Sequence, residues 1–317
     1  MRDDETPKSP WARARVPRSG APVRDARKAP GAPAPTAATA RDRRVRPPAT
    51  ARDDAAASRE QRIHGLNACL AAFAHRPQAL RKVYLAEARI PALKAVLAWC
   101  VQRRIGYRVV GSEDLDRLAG SRHHEGACFD LLRPEPPTLA ELLAAQPPAP
   151  AASLLLWLDG VGNPHNLGAL LRSAAHFGAA GVVVPAAAGL DVSGAAARVA
   201  EGAAEVVPLV QAPSAADALA AVRAHGYALA ATVPRAGVPL YSAALPARLV
   251  LVFGAEGAGM SDAMIEQADL RLTIPGSGAI ESLNVAASVA VVLGEYWRCV
   301  RAGVDAGGAS AGSGPGD

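Results

Sequence analysis

The sequence is poor in cysteine and has no apolar run of membrane-spanning length. Its 4 cysteines form no CxxC pair and have no regular spacing, which argues against a disulfide framework or a structural zinc site and fits a reducing compartment. The longest apolar stretches, Ser153–Leu158 and Val285–Leu293, are too short to cross a bilayer. The first residues include Asp3, Asp4 and Glu5 and lead into no apolar segment, so no secretory signal is expected. We therefore expect a cytoplasmic protein.

Residues 1–60 lack Leu, Ile and Phe and are rich in Pro, Ala and Arg. Such a segment cannot bury enough apolar surface to offset its chain entropy, so we predict disorder there. It holds 14 Lys and Arg against 8 Asp and Glu, a net charge of +6, whereas the whole chain carries +5. Residues 61–317 are therefore near neutral, at about −1 by difference. The basic segment is either an arm attracted to polyphosphate or a solvated leader, and composition leaves both open.

Residues 61–133 alternate helical and strand patterns, with order beginning near Ile63, and are expected to form a small α/β domain. Ser112 is the predicted N-cap of a short acidic helix. The predicted elements are helices at Asn67–Phe73, Pro91–Arg103 and Ser112–Leu118, and strands at Lys82–Leu85, Tyr107–Val110 and Ala127–Leu132. Proline-rich residues 134–152 are predicted as a linker around one helix, Leu139–Ala145.

Residues 153–301 are expected to form a second α/β domain. Its strand-length apolar runs are continuous rather than alternating, which is typical of a parallel sheet buried on both faces. The predicted strands are Ser153–Leu158, Gly181–Pro185, Glu205–Leu209, Ala228–Val233, Leu249–Phe253 and Leu270–Ile274. A long helix, Ser282–Val300, is predicted to end the domain, and the Gly- and Ser-rich residues 302–317 are predicted to be frayed.

Ligands of parallel α/β sheets gather at the carboxyl ends of the strands, so the loops there are candidate sites. The loop after the first strand of this domain leads into a helix that Asn163 or Asn166 can cap. Asn166 and Arg172 are nearly two turns apart, so we expect both on one side, where they suit a ligand with hydroxyl and phosphate groups. A capped helix with one surface arginine explains the same spacing equally well.

Two later loops are also richer than a plain connection requires. The glycine-rich stretch around Gly254 and Glu256 superficially resembles a dinucleotide fingerprint, but it lies too late in the domain for a nicotinamide oxidoreductase. The third loop places Glu281, Ser282 and Asn284 at the start of the last helix. Ser282 fits an ordinary N-cap, whereas Asn284 inside the first turn has poor helix propensity and needs another reason to be there.

Taken together, the order and spacing of the three loops resemble the SpoU/TrmH family of RNA 2′-O-ribose methyltransferases over about 240 residues. The matching motifs are N-x-G-x-x-x-R-S at Asn166–Ser173, G-x-E-x-x-G at Gly254–Gly259, and I-P followed by S-L-N at Ile274–Asn284. Residues 61–133 likewise resemble the family's substrate-binding domain, which is similar to ribosomal protein L30e.

The resemblance implies an α/β catalytic domain with a deep trefoil knot, a homodimer, S-adenosylmethionine (AdoMet) as cofactor, and rRNA or tRNA as substrate. It implies no metal and no membrane. The catalytic residues that it implies are Asn166, Arg172, Glu256, Ser282 and Asn284. The cofactor contacts that it implies are Thr232, Gly254, Glu256, Ile274 and Leu283. The implied role of Arg172 is to activate the 2′-hydroxyl, although a guanidinium that stays protonated suits positioning better than proton removal.

The sequence departs from the family pattern at two positions. Ala255 stands where members often have Asn or Ser, and Gly276 stands where they usually have Met. These changes keep a second hypothesis open, a non-catalytic RNA-binding or ribosome-assembly factor on the same fold. His123, His124 and Cys128 have no second ligand pair, so a turn before a strand is a better interpretation than a metal site.

Overall fold

The computed structural model describes the backbone of residues 60–310 and the side chains through Val300. The predicted disorder of residues 1–60 therefore lies, apart from Glu60, outside the described residues, as do residues 311–317. No helix in the described part of the chain is both long and apolar enough to span a membrane.

The first domain is a four-stranded sheet with helices on both faces. Its strands follow the order β1–β4–β2–β3, with β4 antiparallel to β1 and β2, and β2 parallel to β3. The elements are β1 (Glu60–His64), α1 (Leu66–His75), β2 (Leu80–Leu85), α2 (Lys94–Arg103), β3 (Gly106–Val109), α3 (Ser112–Ala119) and β4 (Ala127–Leu132). Val83 and Phe129 face a core shared with α1 and α2, whereas Leu115 of α3 packs on Tyr84 and Cys128 of the other face.

Three details of this domain differ from the prediction. Order begins with a strand at Glu60, because Glu60–His64 pairs with the whole of β4 although few of its residues are apolar. The helix predicted from Pro91 begins only at Lys94. Ser112 is not an N-cap, since Gly111 takes that position and no side chain there accepts a cap hydrogen bond.

The linker contains the predicted helix, α4 (Leu139–Ala144). Thr138 and Glu141 form a capping box, in which each side chain accepts a hydrogen bond from the other residue's backbone N–H. This reciprocal cap explains why a six-residue helix forms in a proline-rich segment.

The second domain is built on a seven-stranded sheet in the order β7–β6–β5–β10–β8–β11–β9, and every neighbouring pair is parallel. Its strands are β5 (Ser153–Asp159), β6 (Gly181–Pro185), β7 (Leu209–Ala212), β8 (Ala228–Thr232), β9 (Val238–Pro239), β10 (Arg248–Gly254) and β11 (Leu270–Thr273). Its helices are α5 (Pro164–His176), α6 (Gly194–Ala200), α7 (Ala215–Ala224), α8 (Asp262–Glu266) and α9 (Val285–Ser310).

Strand β5 shows why continuous apolar runs predicted a sheet buried on both sides. Leu154, Leu156 and Leu158 belong to the core beneath α5, α6 and α9, while Leu155 and Trp157 belong to the core beneath α4, α7 and α8. All five side chains are buried, so helices cover both faces of β5.

The strand predicted at Glu205–Leu209 is wrong. Glu205 ends a 3₁₀ turn, Ala203–Glu205, and the strand begins at Leu209. Pro208 separates the two, and proline has no backbone N–H to donate to a ladder, so strand pairing starts after it.

The last helix also differs from its predicted bounds of Ser282 and Val300. It starts at Val285, so Asn284 is the residue before the helix rather than part of the first turn. Its backbone continues to Ser310, and residues 302–310, predicted to be frayed, are helical in the structure. Extending an established helix by one residue requires far less ordering than starting one, which lets it run into a glycine-containing segment.

The two domains are in direct contact through β1 and α6. A Cβ atom on Gly194 of α6 would lie 2.7 Å from the carbonyl oxygen of Arg62, so only glycine allows the observed approach. Ala197 of α6 is part of the first domain's hydrophobic core. Arg76, just after α1, also forms a largely buried salt bridge with Glu205, at 2.7 Å between Nε and Oε2.

Candidate functional site

A pocket of about 1020 Å³ opens at the carboxyl ends of β8, β10 and β11. Three loops line it, residues 233–235, 254–260 and 274–284, together with the first turns of α9. This is the edge of a parallel sheet at which ligands are expected, because neighbouring connections diverge there and leave a crevice.

Glu256 links two of these loops through its carboxylate. Its Oε1 accepts hydrogen bonds from Asn284 Nδ2 at 2.6 Å and from the backbone N–H of Val285 at 3.2 Å. A carboxylate at the start of α9 is stabilised by the unpaired N–H groups and the helix dipole there. Glu256 therefore holds the glycine-rich loop against the amino end of the last helix.

Asn284 is the centre of the polar cluster. Its Oδ1 accepts from Ala286 N at 2.9 Å, which makes Asn284 the N-cap of α9, and its Nδ2 also donates to Asn166 Oδ1 at 3.2 Å. The structure thus brings Asn166, Glu256 and Asn284 together from three separate motifs. The requirement that the sequence left open for Asn284 is met by this capping role.

Asn163, rather than Asn166, caps α5, because its Oδ1 accepts from the backbone N–H of His165 at 2.9 Å. Asn166 is therefore free to reach Asn284. At the end of β5, Asp159 Oδ2 accepts from both the backbone N–H and the hydroxyl of Ser261, each at 2.8 Å. Asp159 thereby fixes the far end of the glycine-rich loop.

Gly254 ends β10 at a point of very close backbone approach. A Cβ atom there would lie 2.4 Å from the carbonyl carbon of Gly259 and 2.5 Å from the backbone nitrogen of Met260. Ala255 and Gly259 exchange two backbone hydrogen bonds of 2.9 Å, which close the loop on itself. The glycine is required by the fold of the loop, whatever ligand the loop holds.

Arg172 is not part of this cluster. Its Nη1 lies 3.0 Å from Glu201 Oε1 at the end of α6, and its side chain is 59% exposed. The expectation that Asn166 and Arg172 face one side is wrong, since six helical residues correspond to a rotation of about 600°, which leaves the two about 120° apart. Arg172 therefore lies beside the site, paired with a carboxylate that the motifs did not single out.

The pocket lining includes seven of the nine predicted site residues. Thr232, Gly254, Glu256, Ile274 and Leu283 all line it, as do Ser282 and Asn284, whereas Asn166 reaches it only through Asn284. The Thr232 hydroxyl donates to the Val252 carbonyl at 2.8 Å, so this side chain already has a partner in the sheet.

Arg235 and Glu281 line the pocket and form an exposed salt bridge of 3.4 Å. Glu281 belongs to the polar cluster noted in the third loop, whereas Arg235 was not selected from the sequence. Arg235 follows β8 by three residues, so the rule that ligands gather at strand ends would have found it. Within residues 60–300, no group of three or more His, Cys, Asp or Glu side chains is placed to hold a metal ion. His124 instead accepts from Gly126 N at 2.9 Å and shapes the turn before β4.

Comparison with known proteins identifies the family. Residues 153–294 match the model of the SpoU rRNA methylase family, and residues 62–137 match the RNA 2′-O ribose methyltransferase substrate-binding model. The uncharacterized tRNA/rRNA methyltransferase YfiF of Escherichia coli O157:H7 is 40% identical over 239 residues, which are 75% of this chain and 68% of that protein. The chain belongs to the SpoU rRNA methylase family.

Other members of the SpoU family support this assignment. The 23S rRNA (guanosine-2′-O-)-methyltransferase RlmB of Pseudomonas syringae is 34% identical over 245 residues, covering 76% of this chain and 96% of that protein. The crystal structure of an RNA 2′-O ribose methyltransferase superposes with a TM-score of 0.64 at 27% identity, over 77% of this chain and 90% of that one. The AdoMet complex of the SpoU methyltransferase AviRb from Streptomyces viridochromogenes shares the fold, with a TM-score of 0.62 at 20% identity over 79% and 93% of the two chains.

Proposed function

We propose that the protein transfers a methyl group from AdoMet to a ribose 2′-hydroxyl of ribosomal or transfer RNA. The observation that carries the proposal is the meeting of Asn166, Glu256 and Asn284, one residue from each family motif, at the mouth of the pocket. Membership of the SpoU family supports the reaction class, and the names of the relatives support rRNA or tRNA as the substrate.

The pocket suits AdoMet in its chemistry. Leu283 is 44% exposed and Ile280 is 71% exposed, so apolar side chains without protein cover line the cavity next to the backbone groups of two glycine-rich loops. Apolar side chains can pack on the flat face of an adenine base, while backbone groups form hydrogen bonds with its polar edges. We assign cofactor binding to Gly254, Glu256, Ile274 and Leu283. Thr232, the last residue of β8, is assigned as a further cofactor contact. When bound, the cofactor supplies an electrophilic methyl group on a sulfonium.

The residues of the chain contribute mainly by orienting the reactants, because a ribose hydroxyl is a poor nucleophile. Asn166, Glu256 and Asn284 hold each other by hydrogen bonds and fix the shape of the pocket mouth, where Ser282 adds a hydroxyl. Arg172 keeps its charge, so its role is to bind a substrate phosphate and to stabilise the negative charge that develops on the 2′-oxygen.

The finer architecture is also part of the proposal. We propose that the second domain carries the deep trefoil knot of its family, and membership of the SpoU family supports this proposal. We divide the chain into a tail (1–60), an L30e-like domain (61–133), a linker (134–152), a catalytic domain (153–301) and a final tail. We further propose a cytoplasmic homodimer formed through the catalytic domain, and sedimentation velocity of the full chain is expected to give the mass of two chains.

The function is tested by transfer of tritium from labelled AdoMet to bulk rRNA and tRNA from a strain that lacks the protein. We expect transfer by the wild type and at least about a hundredfold loss in Arg172→Ala, since the guanidinium acts on the developing charge. Arg223→Ala, an exposed arginine that is likewise paired with a carboxylate, is the matched control and is expected to stay active. No AdoMet binding in calorimetric titration, together with no methyl transfer, would instead favour the non-catalytic RNA-binding factor, since a pure binding module has no need of cofactor affinity.

A further inference from the structure

The near-neutral charge of residues 61–317 conceals two oppositely charged domains. Residues 61–133 contain 12 Lys and Arg against 6 Asp and Glu, a net charge of +6. Residues 134–317 contain 8 Lys and Arg against 15 Asp and Glu, a net charge of −7. A polyanion is therefore attracted to the first domain and repelled by the catalytic domain that must act on it.

The positive charge of the first domain is concentrated in one stretch. Between Arg76 and Arg108 the chain has eight Lys and Arg and a single acidic residue, Glu87. Five of these cations lie on β2, at the end of α2 and on β3, and we call them the basic edge. Its members are Arg81, Lys82, Arg103, Arg104 and Arg108.

Sheet topology brings the basic edge together. Strands β2 and β3 are parallel neighbours and Lys82 pairs with Gly106, so the start of β2 lies beside the end of α2, which leads into β3. Strand β3 is the free edge of the sheet, and all four of its residues are exposed. The opposite edge, β1, is in contact with α6 of the catalytic domain.

Carboxylates neutralise other cations of this domain but not those of the basic edge. Arg62 is paired with Asp130, Arg76 with Glu205 and Arg117 with two acids of its own helix. Among residues 60–300, no salt bridge involves a member of the basic edge.

Aromatic rings support two of these cations without cancelling their charge. Lys82 Nζ lies 5.0 Å from the centre of the Tyr84 ring, and the Arg103 guanidinium lies 4.7 Å from that of Trp99. Tyr107, between Arg104 and Arg108, is 44% exposed. Cations interleaved with an exposed aromatic ring form the surface that binds a nucleic-acid strand, through its phosphates and by stacking.

We propose that the basic edge binds phosphates of the substrate RNA at a distance from the nucleotide that is methylated. The inference rests on the proposed function only in taking RNA as the substrate. Because three strand spacings separate β3 from β1, Arg108 on β3 lies about 14 Å beyond the strand that contacts the catalytic domain, and Arg81 and Lys82 on β2 lie about 10 Å beyond it. An RNA bound there extends well past the target nucleotide, so the edge supplies affinity while the pocket selects the ribose.

Positive charges on a free edge strand can also serve to prevent pairing with another protein chain. The structure favours RNA, because three of the five cations lie on α2 and β2 rather than on the edge strand itself. The two explanations predict different defects when the charges are removed.

The test compares two triple variants of the full chain, Arg103→Gln/Arg104→Gln/Arg108→Gln and a control, Lys94→Gln/Arg117→Gln/Arg223→Gln, with equal change in net charge. Binding of a fluorescein-labelled single-stranded RNA of about 30 nucleotides is followed by anisotropy at several KCl concentrations. For the edge variant we expect the slope of log Kd against log salt to fall by about 2, since each phosphate contact contributes about 0.7. The Kd near physiological salt should rise roughly tenfold or more, with AdoMet binding unchanged.

The slope for the control should stay within about 0.7, the contribution of one phosphate contact, of the wild-type slope. Arg103→Lys/Arg104→Lys/Arg108→Lys, which keeps the three charges, should have the wild-type slope. Equal losses in the edge variant and the control would overturn the proposal, because affinity would then follow net charge alone. The proposal would also be overturned if the edge variant kept its RNA affinity but self-associated in sedimentation velocity. The charges would then serve to prevent pairing of β3 with another protein chain. If the salt slope of RNA binding falls in the edge variant as expected but the wild type transfers no methyl group, the role of the basic edge would stand and the proposed function would be contradicted.

Discussion

Glu256 is a single residue on which both the pocket and the last helix depend. Its carboxylate accepts from Asn284 and from the first N–H of α9, so its loss removes a cap as well as a link between loops. We expect Glu256→Ala to lower the free energy of unfolding by about 1 kcal/mol and to abolish methyl transfer. Glu266→Ala, at an exposed glutamate in α8, is the control and should change neither urea unfolding nor tritium transfer by much. Full activity in Glu256→Ala would contradict the role given to this residue.

His64, at the end of β1, makes the stability of the protein depend on pH. Burial, followed by the positive charge of Arg198, lowers the pKa of His64 from its usual 6.5, and its Nε2 has no hydrogen-bond partner among the described residues. The unfolded chain takes up this proton at higher pH than the folded chain, so stability must fall as pH falls through and below about 6.5. Urea unfolding from about pH 7.5 to 5.5 should show this loss.

The loss of stability on acidification should be smaller in His64→Gln than in the wild type, because glutamine does not titrate. His75→Gln, at an exposed histidine of α1, should keep the wild-type dependence. An unchanged pH dependence in His64→Gln would show that other groups carry the effect.

At the scale of the element, the two glycine-containing loops of the pocket, residues 254–260 and 274–284, differ in whether they tolerate a side chain at a glycine. A Cβ atom at Gly254 would lie under 3 Å from backbone atoms of Gly259 and Met260, which cannot move without opening the loop. We expect Gly254→Ala to raise the Kd for AdoMet at least roughly tenfold and to destabilise the fold by about 1–3 kcal/mol. Gly276→Ala is the matched control, because nothing lies within 4 Å of its Cβ position. Calorimetric titration with AdoMet separates the two variants.

Local patterns were enough to predict most elements of the catalytic domain. The apolar runs that became β5, β6, β8 and β10 are strand-sized and buried on both sides, which periodicity reports directly. Errors arose where pairing with a distant strand, or a neighbouring proline, determines where a strand forms. Strand β1 is set by its pairing with β4, and β7 begins after Pro208.

The candidate site was predictable as a set of residues but not as an arrangement. The motif order placed Glu256 and Asn284 in one family site, and the structure adds that they share a hydrogen bond across 28 positions of the chain. The partner of Arg172 could not be found in this way. Glu201 lies on another helix in a segment without a motif, and only the packing of α5 on α6 brings the two together.

At the scale of the whole molecule, the salt bridge between Arg76 and Glu205 ties the two domains together. Both side chains are less than one-fifth exposed, so removing one partner leaves the other charge poorly solvated. We expect Arg76→Ala to lower the free energy of unfolding by about 2–3 kcal/mol, somewhat less than for a fully buried pair.

Calorimetry should also show that Arg76→Ala separates one cooperative transition into two, because the remaining contacts of α6 with β1 and with the first domain's core couple the domains more weakly. Arg117→Ala breaks only exposed pairs within one helix and should cost less than about 1 kcal/mol. A single unfolding transition in Arg76→Ala would show that contacts other than this salt bridge make the two domains unfold together.

The pairing of β5 with β10 has a consequence for synthesis of the chain. Ser153 of β5 pairs with Arg248 of β10, so β5 stays without one of its two neighbours until nearly a hundred further residues have been translated. At bacterial elongation rates this takes on the order of 5–20 s, during which β5 and β6 present an unpaired hydrophobic edge on the ribosome. The sheet can therefore be completed only once β10 has left the exit tunnel.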